Sequence, residues 1–421
     1  MSSKNHTTMH GKNYTLFIIS LFISGTLLAQ QPNNSTAEDS LNNNTAKSAI
    51  LTNTSIGGYG NAFYQYNSNH GTAKVDLERF VLFVGHKFSD RISFFSELEL
   101  EDAKVNGGEP GGEITIEQAY LKFSLNPNQY VVAGLFLPRI GILNENHLPT
   151  TFNGNERNYV ETLVIPATWR ELGIGFYGRL NNLPVNYSVG IMNGLSAAGF
   201  THGTGIVDGR FEGRNATGTN LAVTGALQYY QGSFKAQLSG YYGGTVGLRK
   251  TEADSLGLNS GIFGTPVAMG EGNIQYNSLG LSVKVLGTIA SIPDADKINR
   301  AYASNTPKNM YGAYAEIGYD LLFRQNYGKI SPAQLIVFVR DEKLNLNSGI
   351  PANGLTDQTL NQNFVVAGFT YLPLRNVVVK ADVRLAHTGV QNPALVINPS
   401  PVARPYQTGN TLINLGVGYS F

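Results

Sequence analysis

The amino-acid sequence predicts an all-β fold, a transmembrane antiparallel β-barrel. Segments of about ten residues in which apolar and polar side chains alternate recur from residue 56 to the end. Charged residues make up 14% of the 421 residues, against roughly 25% in soluble domains. Beyond residue 28, no apolar run approaches the about 20 residues that a membrane-spanning helix needs. A closed sheet is the other structure that satisfies every backbone group in lipid.

The last strand, residues 411–421, shows the alternation most clearly. Its odd-numbered positions carry Thr, Ile, Leu, Val, Tyr and Phe, and its even-numbered positions are small or polar apart from Leu412. An edge strand of a soluble sheet is the alternative interpretation, but an aromatic end suits the aromatic girdle of an outer-membrane barrel. We therefore predict that this strand pairs with residues 56–66, and that Tyr419 and Phe421 are the signal read by the barrel assembly machinery.

The chain divides into three parts. Residues 1–29 resemble a signal peptide, with a weakly basic start, an apolar stretch at 14–28 and Ala29 at the expected cleavage site. Residues 30–54 are rich in Asn, Ser and Thr and are predicted to be a flexible tail. Residues 55–421 form the predicted barrel. Secretion together with a barrel predicts a bacterial outer-membrane location.

The strand count follows from the connections. Short turns alternate along the chain with long loops such as 138–170, 344–362 and 386–410, which is the asymmetry of an outer-membrane barrel. Because such barrels have an even number of strands, one strand is missing from the clear segments, and the order of the turns places it at 260–271. The predicted total is sixteen. The clear segments are 56–66, 77–88, 92–101, 114–125, 129–137, 171–180, 185–192, 219–230, 234–243, 275–289, 311–322, 333–342, 363–372, 377–385 and 411–421.

Charged side chains within the strands lie opposite the apolar face. In 377–385, for example, Lys380, Asp382 and Arg384 alternate with aliphatic residues. A basic residue that faces lipid at mid-bilayer costs about 2–4 kcal/mol, so these charges are predicted to face an aqueous lumen. The predicted pore-lining residues are Arg79, Glu97, Glu99, Glu101, Lys122, Arg340, Glu342, Lys380, Asp382 and Arg384.

The loop at 138–170 has the richest chemistry of the long connections. It follows the fifth strand and is therefore the third external loop, and it contains the only Trp of the chain. Charged residues that line a pore set its selectivity at short range, so we predict that this loop constricts the lumen. The alternative is a surface loop whose charges face bulk water. The predicted constriction residues are Arg139, Glu145, His147, Glu156, Arg157, Glu161 and Arg170.

Several motifs resemble those of the phosphate-selective porin O/P family. They are V-D-L-E-R-F at 75–80, E-Q-A-Y-L-K-F at 117–123, V-V-A-G-L-F-L-P at 131–138, R-E-L-G-I-G at 170–175, Y-S-V-G-I-M-N-G at 187–194, F-V-R-D-E at 338–342 and G-F-T-Y-L-P at 368–373. The resemblance implies a sixteen-stranded outer-membrane porin, usually a homotrimer, with anion-attracting Arg and Lys in its lumen. Here the lumenal cations alternate with carboxylates, which weakens the net field. We therefore expect passive diffusion of small hydrophilic solutes and ions, with anion or phosphate preference as the finer expectation from the resemblance.

Two other functions stay open as alternatives. Long loops of Gly, Asn and Thr would permit a surface interaction barrel that binds a partner. A barrel hydrolase needs a nucleophile, a base and an orienting group, and none of the seven His has a Ser or carboxylate at a supporting spacing. We therefore predict no catalytic residues, no cofactor and no metal site, after weighing the nearby Glu145 and His147 as ligands. Zero Cys excludes thiolate chemistry, and the net charge of +1 gives no support for a nucleic-acid partner.

Overall fold

A closed barrel of sixteen antiparallel strands makes up the structure. The computed structural model describes residues 53–102, 112–326, 328–329, 332–396 and 405–421. The predicted signal peptide and most of the predicted tail lie outside the described residues. The strands are β1 (Thr54–Asn67), β2 (Thr72–Lys87), β3 (Ile92–Glu101), β4 (Ile114–Asn126), β5 (Gln129–Phe136), β6 (Glu171–Arg179), β7 (Val185–Asn193), β8 (Leu221–Gln231), β9 (Phe234–Gly243), β10 (Val267–Ser278), β11 (Leu281–Ser291), β12 (Asn309–Asp320), β13 (Gln334–Gly349), β14 (Asn361–Leu374), β15 (Val377–Thr388) and β16 (Gly409–Ser420).

The helices are short and lie in the connections. Three are α-helical, at Lys250–Leu256, Ala295–Tyr302 and Phe323–Asn326, and Val160–Val164 is a single π-helical segment. Short 3₁₀ turns occur at Ala197–Gly199, Val207–Gly209, Gln358–Leu360 and Pro393–Leu395. Among the described residues, no helix combines the length and the apolar character needed to cross a membrane.

The first and last strands close the barrel. β1 pairs antiparallel with β16, from Tyr59 opposite Ser420 to Asn67 opposite Leu412. Beyond the end of β16, Phe421 and Gly58 exchange two backbone hydrogen bonds of 2.8 and 2.9 Å. The predicted fold, the count of sixteen and the closing pair are therefore confirmed.

One predicted strand was misplaced. The segment 275–289 is a hairpin and not one strand, because β10 ends at Ser278, β11 begins at Leu281, and Leu279 and Gly280 form the turn between them. Their φ angles are 52° and 83°, as in a type I′ turn. Leucine rarely adopts this conformation, and the Asn-Gly or Asp-Gly signal that marks such turns is missing. β10 thus begins inside the predicted strand 260–271, and the strand order stays as predicted.

Several strands also extend beyond their predicted ends. β13 continues past residue 342 to Gly349, so the predicted loop 344–362 starts later than expected. In this extension Lys343 is exposed on the outer face, and Ser348 is exposed where the pairing with β12 becomes irregular. Alternation of apolar and polar residues identifies a strand only where its outer face is apolar. The ladder itself continues without that pattern, since Lys343 still pairs with Asn363 of β14.

The two faces of the barrel differ as predicted. Aliphatic side chains such as Ile174, Leu238 and Leu415 are exposed on the outside, whereas charged side chains such as Glu97, Arg340 and Asp382 are buried within. A bulge in β4 changes the local pattern, because the pairing shifts between Glu97 and Leu98 of β3. As a result both Glu117 and Gln118 point to the interior, where simple alternation would place only one of them.

Protein side chains fill part of the lumen. One apolar cluster joins the strands to the 137–170 connection. It contains the inward-facing rings of Tyr59 (β1), Phe83 (β2) and Phe95 (β3), together with Trp169 of the connection. Tyr59 and Trp169 are both 0% exposed. The long loop between β5 and β6 is therefore packed inside the barrel, which positions the site.

Candidate functional site

The connection between β5 and β6, called here the crossing loop (residues 137–170), runs through the interior of the barrel. Its apolar residues Ile140, Val164 and Ile165 are 0% exposed. Its polar residues contact strands around most of the circumference, from β3 and β4 to β15. Gly141 and Gly154 both have a φ of 79°, a conformation that favours glycine and lets the loop reverse direction. Four groups of polar contacts hold it.

The first anchor joins the loop to β3 and β4. His147 Nε2 lies 3.4 Å from Glu97 Oε1 and 3.5 Å from Glu117 Oε2, and all three residues are buried. Gln118 donates to Glu97 at 2.8 Å and Thr168 donates to Glu117 at 2.5 Å. Burial alone lowers the pKa of His147, but its contacts with the two carboxylates outweigh burial and raise that pKa to about 9.

The second anchor centres on Arg340 of β13. Its guanidinium contacts Glu342 Oε1 at 2.7 Å and Glu316 Oε2 at 3.1 Å, and it donates to the backbone oxygen of Asn153 at 3.0 Å. Both carboxylates also accept from the loop, Glu316 from Asn153 Nδ2 at 3.0 Å and Glu342 from the Tyr159 amide at 2.7 Å. Charge-assisted bonds of this kind are the stronger class of hydrogen bond, so this strand fixes the middle of the loop.

The third anchor comes from β15. Asp382 Oδ2 accepts from the backbone and side-chain nitrogens of Asn155 at 2.8 and 2.7 Å, and its other oxygen accepts from Asn414 of β16. Lys380 donates to the backbone oxygen of Gly154 at 2.8 Å. These bonds satisfy loop backbone groups that water would otherwise bind.

Arg384, further along β15, contacts the loop through an ion pair and through stacking of its guanidinium on an aromatic ring. Its Nη1 lies 3.2 Å from Glu156 Oε2. Its guanidinium carbon lies 4.2 Å from the centre of the Tyr159 ring and 5.8 Å from that of Phe364. Arg384 is 1% exposed, so stacking on aromatic faces compensates part of its lost hydration.

The fourth anchor joins the loop to β8 and β9, across the barrel from β15. Glu145 forms an ion pair with Lys235 of β9 and accepts from Gln228 of β8 at 3.0 Å. Arg139 lies 4.8 Å above the ring of Tyr177. Burial opposes ionisation of Glu145, but the charges of Lys235 and Arg139 outweigh it and hold the pKa of this carboxyl below its ordinary value.

Glu161 stabilises the loop by accepting hydrogen bonds from other residues of the loop itself. Its Oε2 accepts from the backbone amides of Ile142 and Leu143 at 2.6 and 2.7 Å. Its Oε1 accepts from Asn158 and from the hydroxyl of Tyr314, both at 2.9 Å. Burial raises the pKa of Glu161, although these four hydrogen bonds act in the opposite direction. The carboxyl joins residues 142–143 of the loop to residue 158 of the loop and to Tyr314 of β12.

The crossing loop separates two polar cavities. The cavity on the side of the long connections, called here the loop-side chamber, measures about 580 Å³ and borders Arg157, Arg170 and Arg210. The cavity on the side of the short turns, the turn-side chamber, measures about 360 Å³ and borders Glu145, Lys235 and Lys284. No residue lines both chambers among those described. The loop therefore lies between the two chambers and contributes residues to the wall of each.

Comparison with known proteins places this chain among relatives. It is 31% identical over 343 residues to an uncharacterized protein of Aquifex aeolicus (strain VF5), and the match covers 78% of this chain and 74% of that protein. The two proteins belong to one family. No protein-family model matches the chain, so the resemblance to the phosphate-selective porin O/P family is not confirmed.

Two solved structures show the same fold at low sequence identity. Salmonella typhi OmpF in complex with daunomycin is 10% identical and matches with a TM-score of 0.52 over 87% of this chain and 97% of that chain. The loop L8 deletion mutant of OmpT, an outer membrane protein of Vibrio cholerae, is 9% identical, with a TM-score of 0.50 over 87% of this chain and 99% of that chain. The chain therefore shares the barrel fold of these two structures.

The structure brings most of the predicted site residues together. All seven predicted residues of the loop lie inside the barrel, with Glu145, His147 and Glu161 in the contacts described above. Among the predicted strand residues, Arg340, Glu342, Lys380, Asp382 and Arg384 contact the loop or its partners, Glu97 contacts His147, and Arg79 lies 3.5 Å from Glu99.

Four predicted strand residues, Arg79, Glu99, Glu101 and Lys122, lie apart from the anchors, and several contributors were missed. Glu101 borders the loop-side chamber, and Lys122 lies 4.4 Å above the ring of Tyr130. The missed residues are the loop asparagines and the charged group that the connection between β7 and β8 adds to the loop-side chamber. Asparagines in a loop suggest turn formers, and a loop's contacts do not follow strand periodicity. The missed residues are Asn153, Asn155, Asn158, Arg210, Glu212 and Arg214.

Proposed function

We propose that this protein is a bacterial outer-membrane porin through which small hydrophilic solutes and ions diffuse passively, with the crossing loop as the constriction. The observation that carries the proposal is the path of this loop, which divides a closed barrel into two polar chambers. A sixteen-stranded barrel is wide enough for an aqueous channel, and a loop held by charged residues can set its limiting cross-section and its selectivity.

Transport accounts for the charged interior better than catalysis does. Glu145 is paired with Lys235, and Glu316 and Glu342 are paired with Arg340. A general acid, base or nucleophile has to be poised toward a substrate, whereas these groups are committed to holding the loop. The protein is accordingly proposed to be a channel and not an enzyme.

The lining charges support weak ion selectivity. The loop-side chamber has five arginines and six carboxylates on its wall, and opposite charges that alternate at close range largely cancel at the distance of a passing ion. Preference for anions or for phosphate therefore depends on single unpaired groups, such as the Nη2 atom of Arg157, which has no hydrogen-bond partner in the described part of the chain. The lining charges are Arg79, Arg157, Arg170, Arg210, Arg214, Glu78, Glu101, Glu113, Glu156, Asp208 and Glu212.

The outer surface supports three further assignments. Exposed aliphatic side chains on the outward faces, such as Ile191 and Val383, suit contact with outer-membrane lipid. Phe421, which is 50% exposed at the end of the closing strand, is proposed with Tyr419 as the recognition signal for the barrel assembly machinery. A homotrimer is proposed from the family resemblance, and chemical cross-linking in membranes tests it by the largest linked species.

Planar-bilayer recording of the purified, folded protein tests the channel. Discrete conductance steps are expected, with a small reversal potential in a salt gradient because the lining charges nearly balance. Replacing Arg210 and Arg214 by Gln should shift the reversal potential toward cation preference, and Arg249→Gln, exposed in an outer connection away from the chambers, is the matched control. A bilayer that stays closed with folded protein would contradict the proposal, and block by inorganic phosphate would assign the finer preference.

A further inference from the structure

The first anchor, Glu97, Glu117 and His147, is chemically unlike the other three. Elsewhere a buried carboxylate of the lumen contacts a basic side chain or several N–H donors directly, as Glu145 does with Lys235. Here two carboxylates that are 0% exposed share one imidazole. A single N–H at His147 Nε2 can point to only one of them, and Glu117 Oε2 has no hydrogen-bond partner in the described part of the chain.

Arg79, Arg157 and Arg170 lie near the cluster, but the described contacts bring none of them to the two carboxylate oxygens that face His147. Arg170 Nη1 lies 3.8 Å from the other oxygen of Glu117, and its Nη2 contacts Glu212 at 3.1 Å. Arg79 contacts Glu78 at 2.7 Å and Glu99 at 3.5 Å. The two oxygens that face His147 are therefore left without a guanidinium contact. Buried charges without a full partner are costly, so this site favours a further positive group.

We propose that Glu97, Glu117 and His147 bind a divalent transition-metal cation of the Zn²⁺ class, which ties the crossing loop to the barrel wall. One ligand atom from each residue lies within 4.8 Å of the others. The separations of 3.4 and 3.5 Å from His147 Nε2 to the two carboxylate oxygens are close to the edge of a tetrahedron with metal–ligand bonds of about 2.0–2.1 Å, which is roughly 3.3–3.4 Å. Two carboxylates and a neutral imidazole around a divalent cation form a neutral unit.

The outer contacts of the three side chains suit metal ligands. His147 Nδ1 lies 3.1 Å from the backbone oxygen of Leu143, which places the ring proton on Nδ1 and leaves the Nε2 lone pair for the metal. Gln118 and Thr168 each donate to the carboxylate oxygen that faces away from His147. Ligating imidazoles and carboxylates in proteins are oriented by such second contacts.

A second buried polar atom lies at the same place without a hydrogen-bond partner. Tyr59 packs edge-on against His147 with ring centres 5.9 Å apart, and its hydroxyl, like Glu117 Oε2, has no partner among the described residues. Two buried polar atoms beside one histidine are thus open to a further polar partner, which a bound cation with its ligands would supply. Occupancy by the cation also exchanges the proton of His147 for the metal.

Metal binding to the full-length, folded protein tests the proposal independently of conductance. After treatment with a chelator, equilibrium dialysis against Zn²⁺ should yield one ion per chain, and excess Ca²⁺ should not displace it, because imidazole favours the transition metal. Glu117→Gln and His147→Gln should each weaken binding at least tenfold, on the order of the effect of losing even an outer contact. Heat-modifiable gel migration verifies that each variant is folded.

Glu252→Gln is the matched control. Glu252 lies in the Lys250–Leu256 helix of an outer connection, its side chain is 44% exposed and pairs with Arg249, and it takes no part in the cluster or in any anchor of the loop, so its variant should bind Zn²⁺ like the unaltered protein. If either cluster variant fails to fold, X-ray absorption of the Zn²⁺-loaded unaltered protein should show imidazole and carboxylate ligands at about 2.0–2.1 Å. Folded protein that takes up no stoichiometric Zn²⁺, or binding that is unchanged in Glu117→Gln, overturns the metal site and leaves the proposed channel untouched.

Discussion

Replacing Arg340 by Met should release the crossing loop while the barrel stays folded. Arg340 is 2% exposed and contacts two carboxylates, Glu316 and Glu342, which are 4% and 0% exposed. Removing one partner of a buried ion pair costs about 3–5 kcal/mol, because the remaining charge is left uncompensated. Lys284, 3.7 Å from Glu316, compensates part of that charge, so the lower end of this range is expected.

The cost falls on loop docking, since both carboxylates also accept hydrogen bonds from the loop. A loss of about 3–5 kcal/mol corresponds to a docked population lowered roughly 100- to 5,000-fold relative to the open one. Amide hydrogen exchange reads this population where the loop recloses faster than its amides exchange. The amide of Tyr159, bonded to Glu342 at 2.7 Å, and the amide of Asn155, bonded to Asp382 at 2.8 Å, are the reporters.

Lys343→Met is the matched control, because Lys343 is the exposed basic residue on the outer face of the same strand. It should leave the exchange of both reporter amides unchanged. Unaltered loop protection in folded Arg340→Met protein would refute the reasoning, as would equal acceleration in the control. In planar bilayers Arg340→Met should show larger and noisier conductance steps than the unaltered protein if the docked loop limits the pore.

Three further outcomes are expected. Deleting Phe421 removes the two backbone bonds to Gly58 and the proposed assembly signal, so less heat-modifiable barrel should reach the membrane fraction; an unchanged level argues against that role. Burial raises the pKa of Glu161, so loop protection should fall as the pH rises from about 4.3, where exposed glutamate titrates, through the raised pKa, and Glu161→Gln should flatten that fall; parallel pH profiles contradict this. Leu279→Asn should raise the temperature of the heat-modifiable transition, because Leu279 is 71% exposed in a left-handed conformation that costs a non-glycine residue about 1–3 kcal/mol and suits Asn better; a lower temperature counts against it.

The fold could be predicted from the sequence because a strand in lipid has only one way to place its charges. Lys380, Asp382 and Arg384 had to face away from Val379 and Val383, and the structure buries all three. The prediction failed where the outer face leaves lipid, as at the extension of β13, and where a turn lacks its usual residues, as at Leu279 and Gly280. In both cases the backbone keeps the hydrogen-bonded pairing between strands, but the sequence of side chains has no pattern that reveals this pairing.

The candidate site was predictable only as a list of residues. Strand alternation assigns Glu97 to the lumen, but the bulge that turns both Glu117 and Gln118 inward adds one residue that alternation cannot detect. The partners of the loop residues depend on the path of the loop through the barrel. His147 and Glu117 are thirty positions apart along the chain (147 − 117) and meet only because the loop folds back.

Insertion and channel properties should be separable in this protein, because different faces of the same strands determine them. The outer face and the closing pair of β1 and β16 interact with lipid and with each other, and no anchor of the crossing loop uses an outward side chain of the described strands. The inner face interacts with the loop, whose backbone groups occupy positions that water would otherwise fill. Substitutions of inward charges should therefore change loop position and conductance while the barrel still assembles. Substitutions on the outer face should instead impair assembly of the barrel, while the loop position and the conductance of the assembled protein stay unchanged.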